Sequence, residues 1–463
     1  MTVRASVVVV GAGTAGIGAT RAALRKGCDV ILIEGGEGGT TCARVGCMPS
    51  KLLIAAAEHA QCARNGDAFG IEAKVKVHPE AVMERVRRER DRFVGFVLRD
   101  VEELVKDKGS YVRGQARFID DLVLDVAGER IEADRVVLAV GSRPIVPPAL
   151  EPAQDRLIHN DELFSLDRLP ESVAVFGPGI IGLELGQALH SLGVRVRIFG
   201  HSPNVGSLSD PDLKAEATHL FSLSMPLHTS VKGLEVRRVE GGVEVQWQGE
   251  GGRQAEVFDY ALVATGRRSN LDLINLEATS LPLTGDGRLP VDPNTLQVEN
   301  EPVFVAGDAA GIRPILHEAA DEGRIAGENA AAFPEVRPGI RRSPLSIVFT
   351  SPQMFIAGTA HRDLPEDGFV TGRVSFRNQG RSRVMGLNAG ALHVYADKNT
   401  GRLLGSEGIG PRLEHIAHLL AWSHQEGLTI DRMLEMPFYH PVIEEGLRTA
   451  LRDAAAELEK VRE

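Results

Sequence analysis

Cysteine is scarce in this chain, with four residues among 463, and none follows Cys62. So few thiols in so long a chain exclude a disulfide scaffold and favour a reducing compartment, with cytoplasm the expected location. Long apolar runs are also missing. No stretch approaches the roughly 20 residues of a membrane span, so no membrane association is expected. The apolar run at the N-terminus leads straight into a glycine turn, so no secretory leader is expected either. Positive charge is not in excess: 52 Lys and Arg stand against 63 Asp and Glu, a net charge of −11. That balance argues against nonspecific nucleic-acid binding. An apolar fraction of 43% and a charged fraction of 25% are those of a globular protein, and the length predicts three or four domains.

Two of the four cysteines lie close together, in Thr41-Cys42-Ala43-Arg44-Val45-Gly46-Cys47-Met48-Pro49-Ser50-Lys51. Just upstream is a complete dinucleotide-binding start. The strand Ser6-Val7-Val8-Val9-Val10 runs into Gly11-Ala12-Gly13-Thr14-Ala15-Gly16, a helical stretch follows, and the strand Val30-Ile31-Leu32-Ile33 ends at Glu34. The glycines permit a tight turn and close backbone approach to a pyrophosphate, and the helix N-terminus supplies amide donors. Glu34 is spaced to accept hydrogen bonds from ribose hydroxyls. A nucleotide fold says only that a cofactor binds; the dithiol beside it suggests what that cofactor reduces.

The start is restated later. Val173-Ala174-Val175-Phe176 precedes Gly177-Pro178-Gly179-Ile180-Ile181-Gly182, with a helix through Leu192 and a strand Val194 to Phe199. Two strand-to-glycine segments, Val136 to Pro144 and Ala261 to Arg268, echo each other where the chain would cross between domains. Val303-Phe304-Val305-Ala306-Gly307-Asp308 reads as a buried strand ending in an acid that could face a ribityl hydroxyl. From about Arg341 the pattern changes. Ile347 to Phe349, Val374 to Phe376, Ala391 to Ala396 and Gly401 to Gly405 read as antiparallel strands, with helices over Leu413 to Glu426 and Ile443 to Leu458. Basic and acidic residues alternate at helical spacing from Glu84 to Arg92, as on a solvated helix.

Four residues separate Cys42 from Cys47, so a bond between them requires the segment to curl at a helix start. Pro49 fits an early helical turn, and a cysteine near that terminus would have its thiolate favoured by the helix dipole. Cys28, before a buried strand, and Cys62, within a helix, read as inert packing. Linking thiol exchange to hydride chemistry requires a two-electron relay, for which a flavin is suited, and an acid–base group. His440 lies before Pro441, with Glu444 and Glu445 four and five residues on; an acid so placed could hold the imidazole tautomer, although spacing alone favours a capping role.

The dithiol segment, the two glycine turns, Gly307-Asp308 and His440-Pro441-x-x-Glu444-Glu445 occur in the order of the pyridine nucleotide–disulfide oxidoreductases. The chain resembles that family over essentially its whole length, and within it the dihydrolipoamide dehydrogenases. The resemblance implies two Rossmann-like α/β nucleotide-binding domains and a C-terminal α+β interface domain. Their expected bounds are 1–146 for FAD, 147–268 for NAD, 269–340 for a central domain completing the FAD site, and 341–463 for the homodimer interface. It implies Cys47 as the flavin-side thiol that forms the charge-transfer complex and Cys42 as the thiol exchanging with substrate. His440, reaching across from the other subunit, would be the acid–base, paired with Glu445. FAD contacts would fall at Gly11, Gly13, Gly16, Glu34, Thr41, Ala116, Gly141, Ser142, Asp308, Leu316 and His317, with Lys51 and Glu184 an ion pair near the flavin ring. NAD contacts would fall at Gly177, Gly179, Ile181, Gly182, His201, Val231 and Gly266. The implied reaction oxidises dihydrolipoyl groups, on a carrier protein or as free dihydrolipoamide, with NAD⁺ as acceptor and without a metal.

The chain departs from the family pattern at four places. Thr40 replaces the second glycine of Gly-Gly-Thr-Cys, Val140 replaces a threonine, and Val442 and Glu444 replace small hydroxyl residues. Phe199-Gly200-His201-Ser202 offers neither the acid of NAD users nor the arginines of NADP users; the missing arginines favour NAD. The lack of cysteine after Cys62 disfavours mercuric reductases and thioredoxin reductases with C-terminal redox pairs. An NAD(P)H-dependent reductase of another small disulfide remains the alternative enzyme, and a flavin-bound redox sensor with little turnover the alternative of another class.

Overall fold

The computed structural model describes residues 2–249, 251–285 and 287–462. The chain forms two compact units, one of Met1–Pro49, Arg85–Ile145 and Gly266–Arg341, the other of Ser50–Glu84, Val146–Thr265 and Arg342–Glu463.

The first unit is built on a seven-stranded sheet. Gly109–Arg113, Val30–Glu34, Thr2–Val10 and Glu129–Leu138 lie side by side in parallel, and Val303–Val305 adds to the last of them, also in parallel. Val123–Val126 and Ala116–Asp120 extend the sheet as an antiparallel hairpin. Val7 to Val10 and Val30 to Ile33 are buried on both faces, which is why they read as unbroken aliphatic runs and not as an alternation. The helix Thr14–Arg25 packs on the helix Leu316–Ala332 at a separation only small residues permit. A Cβ on Gly323 would lie 2.1 Å from the Ala15 carbonyl oxygen, and one on Gly327 would lie 2.3 Å from that of Ala19. The helix read around Glu84 to Arg92 spans Pro79–Val105.

The second unit repeats the idea. Leu227–His228, Arg195–Phe199, Ser172–Phe176, Tyr260–Val263 and Leu157–Ile158 form a five-stranded parallel sheet. A three-stranded antiparallel sheet, Lys232–Val239, Gly242–Gly249 and Gly252–Phe258, packs Val243, Val245 and Trp247 beneath it. The C-terminal region is a five-stranded antiparallel sheet in the order Leu345–Val348, Gln353–Gly358, Leu403–Gly410, Ala391–Asp397, Phe369–Ser375. The helices Leu413–Gln425 and Glu445–Arg462 close its core. The last helix starts two residues later than its apolar pattern predicts, because Glu445 turns its carboxylate back to the Val442 amide at 3.3 Å. No helix among the described residues is long and apolar enough to cross a membrane.

Candidate active site

The two glycine turns are near copies. Gly11 and Gly177 hold φ of +103° and +106°, and a Cβ on either would lie 2.3 Å from a carbonyl oxygen, of Ala139 and Ala264 respectively. Only glycine meets both demands. Gly16 and Gly182 are closed off in the same way by the carbonyls of Gly11 and Gly177. Gly13 and Gly179 differ: among the described residues, chain neighbours aside, nothing lies within 4 Å of where their Cβ would be. Each therefore turns bare backbone at a helix N-terminus, of Thr14–Arg25 and of Ile180–Ser191, towards space a pyrophosphate would fill. Ile181 is half-buried behind the second turn.

Glu34 ends its strand half-buried, accepting from the Ala12 amide at 2.8 Å and the Gly36 amide at 2.7 Å. Lone pairs remain on both oxygens for ribose hydroxyls. Asp308, in the short turn Gly307–Ala309, accepts from the Ser142 hydroxyl at 2.6 Å, and Arg267 donates to that hydroxyl at 2.9 Å and to the Ser142 carbonyl at 2.7 Å. Gly141, at φ +68°, lies next to Ser142, and Val140 is partly buried in the core where no hydroxyl is present. Ala116 is buried at the start of its strand. Leu316 and His317 open a helix in the same unit; Leu316 is exposed, and His317 keeps its Nε2 buried without a protein partner.

A residue absent from the sequence reading stands behind Asp308. Glu322, fully buried, accepts from the Gly307 amide at 2.8 Å and from Arg341 Nη1 at 2.9 Å. Burial pushes its carboxyl up, against the opposing hydrogen bond and charge of Arg341. Only the four-residue spacing of Glu318 and Glu322 on one helix hinted at this, and Arg341 lies 19 residues further on.

Thr41 and Cys42 sit on the short helix Thr41–Arg44, and Cys47 is the first residue of Cys47–Arg64. Thr40 holds φ +60°, a conformation natural to the glycine it replaces, and its hydroxyl accepts from the Ala43 amide at 3.2 Å. Cys42 is half-buried and lines a cavity of about 850 Å³ that Cys47, although exposed, does not line. Cys62 is exposed, which corrects its reading as packing: it lies on the solvent side of its helix. Cys28 is partly buried, and burial raises its thiol.

In the second unit Lys51 Nζ lies 2.7 Å from Glu184 Oε2 and 4.6 Å from the centre of the Phe349 ring. The Phe349 amide donates to the other Glu184 oxygen at 2.8 Å, so this nearly buried carboxylate is satisfied on both sides. At the second nucleotide turn, Gly200 donates to the His228 carbonyl and accepts from the Val231 amide, each at 2.8 Å, and His201 is exposed. Gly266, at φ +120°, is exposed at the end of its segment. His440 Nδ1 lies 3.0 and 3.1 Å from the two oxygens of Glu445. A carboxylate only accepts, so Nδ1 carries the proton and Nε2 is left as the acceptor. The imidazole is 80% exposed. The hydrogen bond from His440, helped by the Val442 amide, holds the Glu445 carboxyl below its ordinary range.

Residues 5–323 match the pyridine nucleotide-disulphide oxidoreductase family, and residues 345–451 match that family's dimerisation domain. The chain belongs to this family. It is a flavoprotein disulfide oxidoreductase that uses FAD and NAD(H), with Gly13 and Gly179 at turns that fit the two pyrophosphates. It is similar to a dihydrolipoyl dehydrogenase of Halobacterium salinarum, 29% identical over 97% of this chain and 96% of the relative. It is also similar to a mercuric reductase of Staphylococcus aureus, 26% identical over 96% of this chain and 81% of the relative. Among solved structures, LpdA from Mycobacterium tuberculosis shares the fold, with a TM-score of 0.82 and 23% identity over 97% of this chain and 99% of that one. Several of the relatives are dihydrolipoyl dehydrogenases.

Proposed function

We propose that the protein is a dihydrolipoyl dehydrogenase, oxidising dihydrolipoyl groups to lipoyl with NAD⁺ as acceptor, as a homodimer. The observation that carries the reading is the division of labour in the dithiol: Cys42 lines the cavity and Cys47 does not. A substrate thiolate entering there attacks Cys42 Sγ of the oxidised pair, the Cys42–Cys47 bond breaks, and Cys47 leaves as a thiolate. The second substrate thiol then attacks the substrate sulfur of the mixed disulfide, closing the dithiolane ring and releasing Cys42 reduced. His440, delivered by the partner subunit, takes the protons of the attacking thiols at Nε2, while Glu445 fixes its tautomer through Nδ1. The bound flavin supplies the two-electron relay from the dithiol to the nicotinamide.

In this reading the FAD-binding region spans 1–146, the NAD-binding region 147–268, a central region 269–340 and the interface 341–463. Glu34, Ser142 and Asp308 hold the FAD, and Lys51 with Glu184 stands near its ring. A reductase of another small disulfide would use the same relay in reverse.

The test is anaerobic titration of the purified yellow protein with dihydrolipoamide, then NAD⁺, following absorbance at long wavelength. The reading expects a band that grows with dihydrolipoamide and decays on NAD⁺. A band produced by NADH but not by dihydrolipoamide would remove the lipoyl assignment and leave a reductase for a different disulfide.

A further inference from the structure

Arg44 stands between the two cysteines of the dithiol, at the end of the helix Thr41–Arg44. Its Nε donates to the Gly38 carbonyl at 2.8 Å, and its Nη1 lies 2.7 Å from Glu37 Oε2. The last residue of this helix is therefore tied to the loop that leads into it. The loop is also held from the sheet. Arg113, opposite Glu34 on the neighbouring strand, donates from Nη2 to the Glu37 carbonyl at 2.8 Å. Gly38, Gly39 and Thr40 hold φ of +75°, +85° and +60° in succession. With ψ of 148°, Thr40 lies in a region that glycine alone enters freely, and such a residue persists only where its surroundings over-determine it. Those surroundings are the tie from Arg44 to Gly38 on one side and the bond from the Ala43 amide to its own hydroxyl on the other. Beyond Arg44 the chain turns back, and a Cβ on Gly46 would lie 3.3 Å from Cys42 Cα. Cys47 follows directly.

We propose that Arg44 is a positioning residue for the redox pair: by tying the helix of Cys42 to Gly38 and Glu37, it holds the segment in the conformation in which the Cys42–Cys47 bond closes. The inference rests on the reading of Cys42 and Cys47 as that pair. A segment ordered in advance gives up little conformational entropy on ring closure, so the tie favours the disulfide over the dithiol. A guanidinium acting by charge alone would do the opposite, since it favours the thiolate and hence the reduced form. The Arg44 side chain is 28% exposed and that of Glu37 80%, so the bond to the Gly38 carbonyl is the stronger anchor and the ion pair the weaker.

The test equilibrates the FAD-loaded protein anaerobically, at neutral pH, with excess dithiothreitol in defined mixtures of its reduced and oxidised forms. Dithiothreitol gives up two electrons and two protons as its ring closes, and the Cys42–Cys47 bond is cleaved to two thiols. After acid quenching the free thiols are alkylated, and the fraction of Cys42–Cys47 disulfide is read by peptide mass. Absorbance of the oxidised flavin checks folding and shows that the electrons stop at the dithiol. In Arg44→Gln the equilibrium should move towards the dithiol by about three- to tenfold, the worth of a net hydrogen bond. Glu37→Ala should move it the same way by about twofold, as an exposed pair allows. Arg44→Lys keeps the charge but cannot span both acceptors, and should fall between wild type and Arg44→Gln. No shift in Arg44→Gln, or a shift towards the disulfide, overturns the proposal; the latter, with Glu37→Ala moving the other way, is the pattern of a charge effect. Should Arg44→Gln lose its flavin, Arg44→Lys decides alone: a shift towards the dithiol supports the tie, and no shift overturns it. If wild-type Cys42 and Cys47 form no bond in the most oxidising mixture, the redox-pair reading falls and the proposal with it. If they do and the variants leave the equilibrium unmoved, only the role of Arg44 falls.

Discussion

His393 Nδ1 lies 2.8 Å from Asp210 Oδ2, joining the C-terminal antiparallel sheet to the cap of the helix Pro211–Ser224. Both side chains are 5% exposed, and the Tyr395 hydroxyl donates to the same oxygen at 2.9 Å. Burial alone would push the Asp210 carboxyl up, but the hydrogen bond and charge of His393, with Tyr395 and the Leu213 amide, outweigh it and hold the group well below the usual carboxylate range. Burial, with the charges of Glu407 and Asp210, pushes the Tyr395 phenol far up, so it remains a donor.

Asp210→Asn is therefore expected to destabilise the protein by about 3 kcal/mol at neutral pH, since a buried charged acceptor is removed from its partners. A carboxyl depressed in the folded state adds stability above its unfolded pKa of about 3.9 and loses it as pH falls further. The gap in Tm between wild type and Asp210→Asn should thus be widest near neutrality and narrow below about pH 4. Calorimetry across pH 7 to 3 checks it; a gap independent of pH would mean that the charge of Asp210 contributes nothing.

Glu322 supports the turn that aims Asp308, because it receives the Gly307 amide and pairs with Arg341. Glu322→Ala leaves Arg341, whose side chain is 16% exposed, paired with Glu318. A loss of about 3 kcal/mol is expected from the broken buried pair. The variant should also purify with less flavin per chain, whereas Glu322→Gln, which keeps an acceptor for the Gly307 amide, should retain more. The ratio of flavin to protein absorbance decides between them.

The nucleotide turns were legible because their glycines are forced by carbonyl oxygens a few residues away in space, so composition and conformation coincide at Gly11 and Gly177. The C-terminal sheet was legible only in outline. Its strand Gln353–Gly358 has two neighbours and is buried from Met354 to Gly358, so Met354-Phe355-Ile356-Ala357 shows no alternation to distinguish it. The sheet from Lys232 to Phe258 carries an alternating signal in Val243-Glu244-Val245-Gln246-Trp247, but it interrupts the strand order of a nucleotide fold, which gives no reason to expect it there. Asp210 and His393 are 183 residues apart, and nothing local in either segment announces the other. The cavity wall is similar: Arg21 and Arg324 reach one space only because Gly323 and Gly327 let their helices approach closely.

Gly200 accounts for the missing acid at the second nucleotide site. A Cβ there would lie 2.7 and 2.9 Å from Cγ and Cδ of Pro178, so the ring of the Gly177-Pro178-Gly179 turn occupies the place of a side chain. Without a carboxylate for the 2′-hydroxyl, discrimination against a 2′-phosphate is weak. NADH should be preferred to NADPH by no more than about tenfold in kcat/KM, the factor that a single hydrogen bond of about 1.4 kcal/mol adds. His201→Glu should widen the preference and His201→Arg narrow or reverse it. A wild-type preference of a thousandfold or more would show that another group reads the ribose.

His440 is held through Nδ1 by Glu445, and its side chain is exposed. On the proposed mechanism His440→Gln removes the proton acceptor and should lower kcat by about 10²- to 10⁴-fold. Reduction of the flavin by NADH, which does not pass through this group, should survive. Glu445→Gln keeps the size but lets the amide donate, so the imidazole is free to take the wrong tautomer, and a smaller loss in kcat is expected with KM nearly unchanged. The hydrogen bond from His440 holds Glu445 below the ordinary carboxylate range, so it stays an anion and supports the imidazole at neutral pH. Stopped-flow measurement of the two half-reactions separates the roles. If both variants slow reduction by NADH as much as oxidation of the dithiol, the pair is structural and the acid–base role belongs elsewhere.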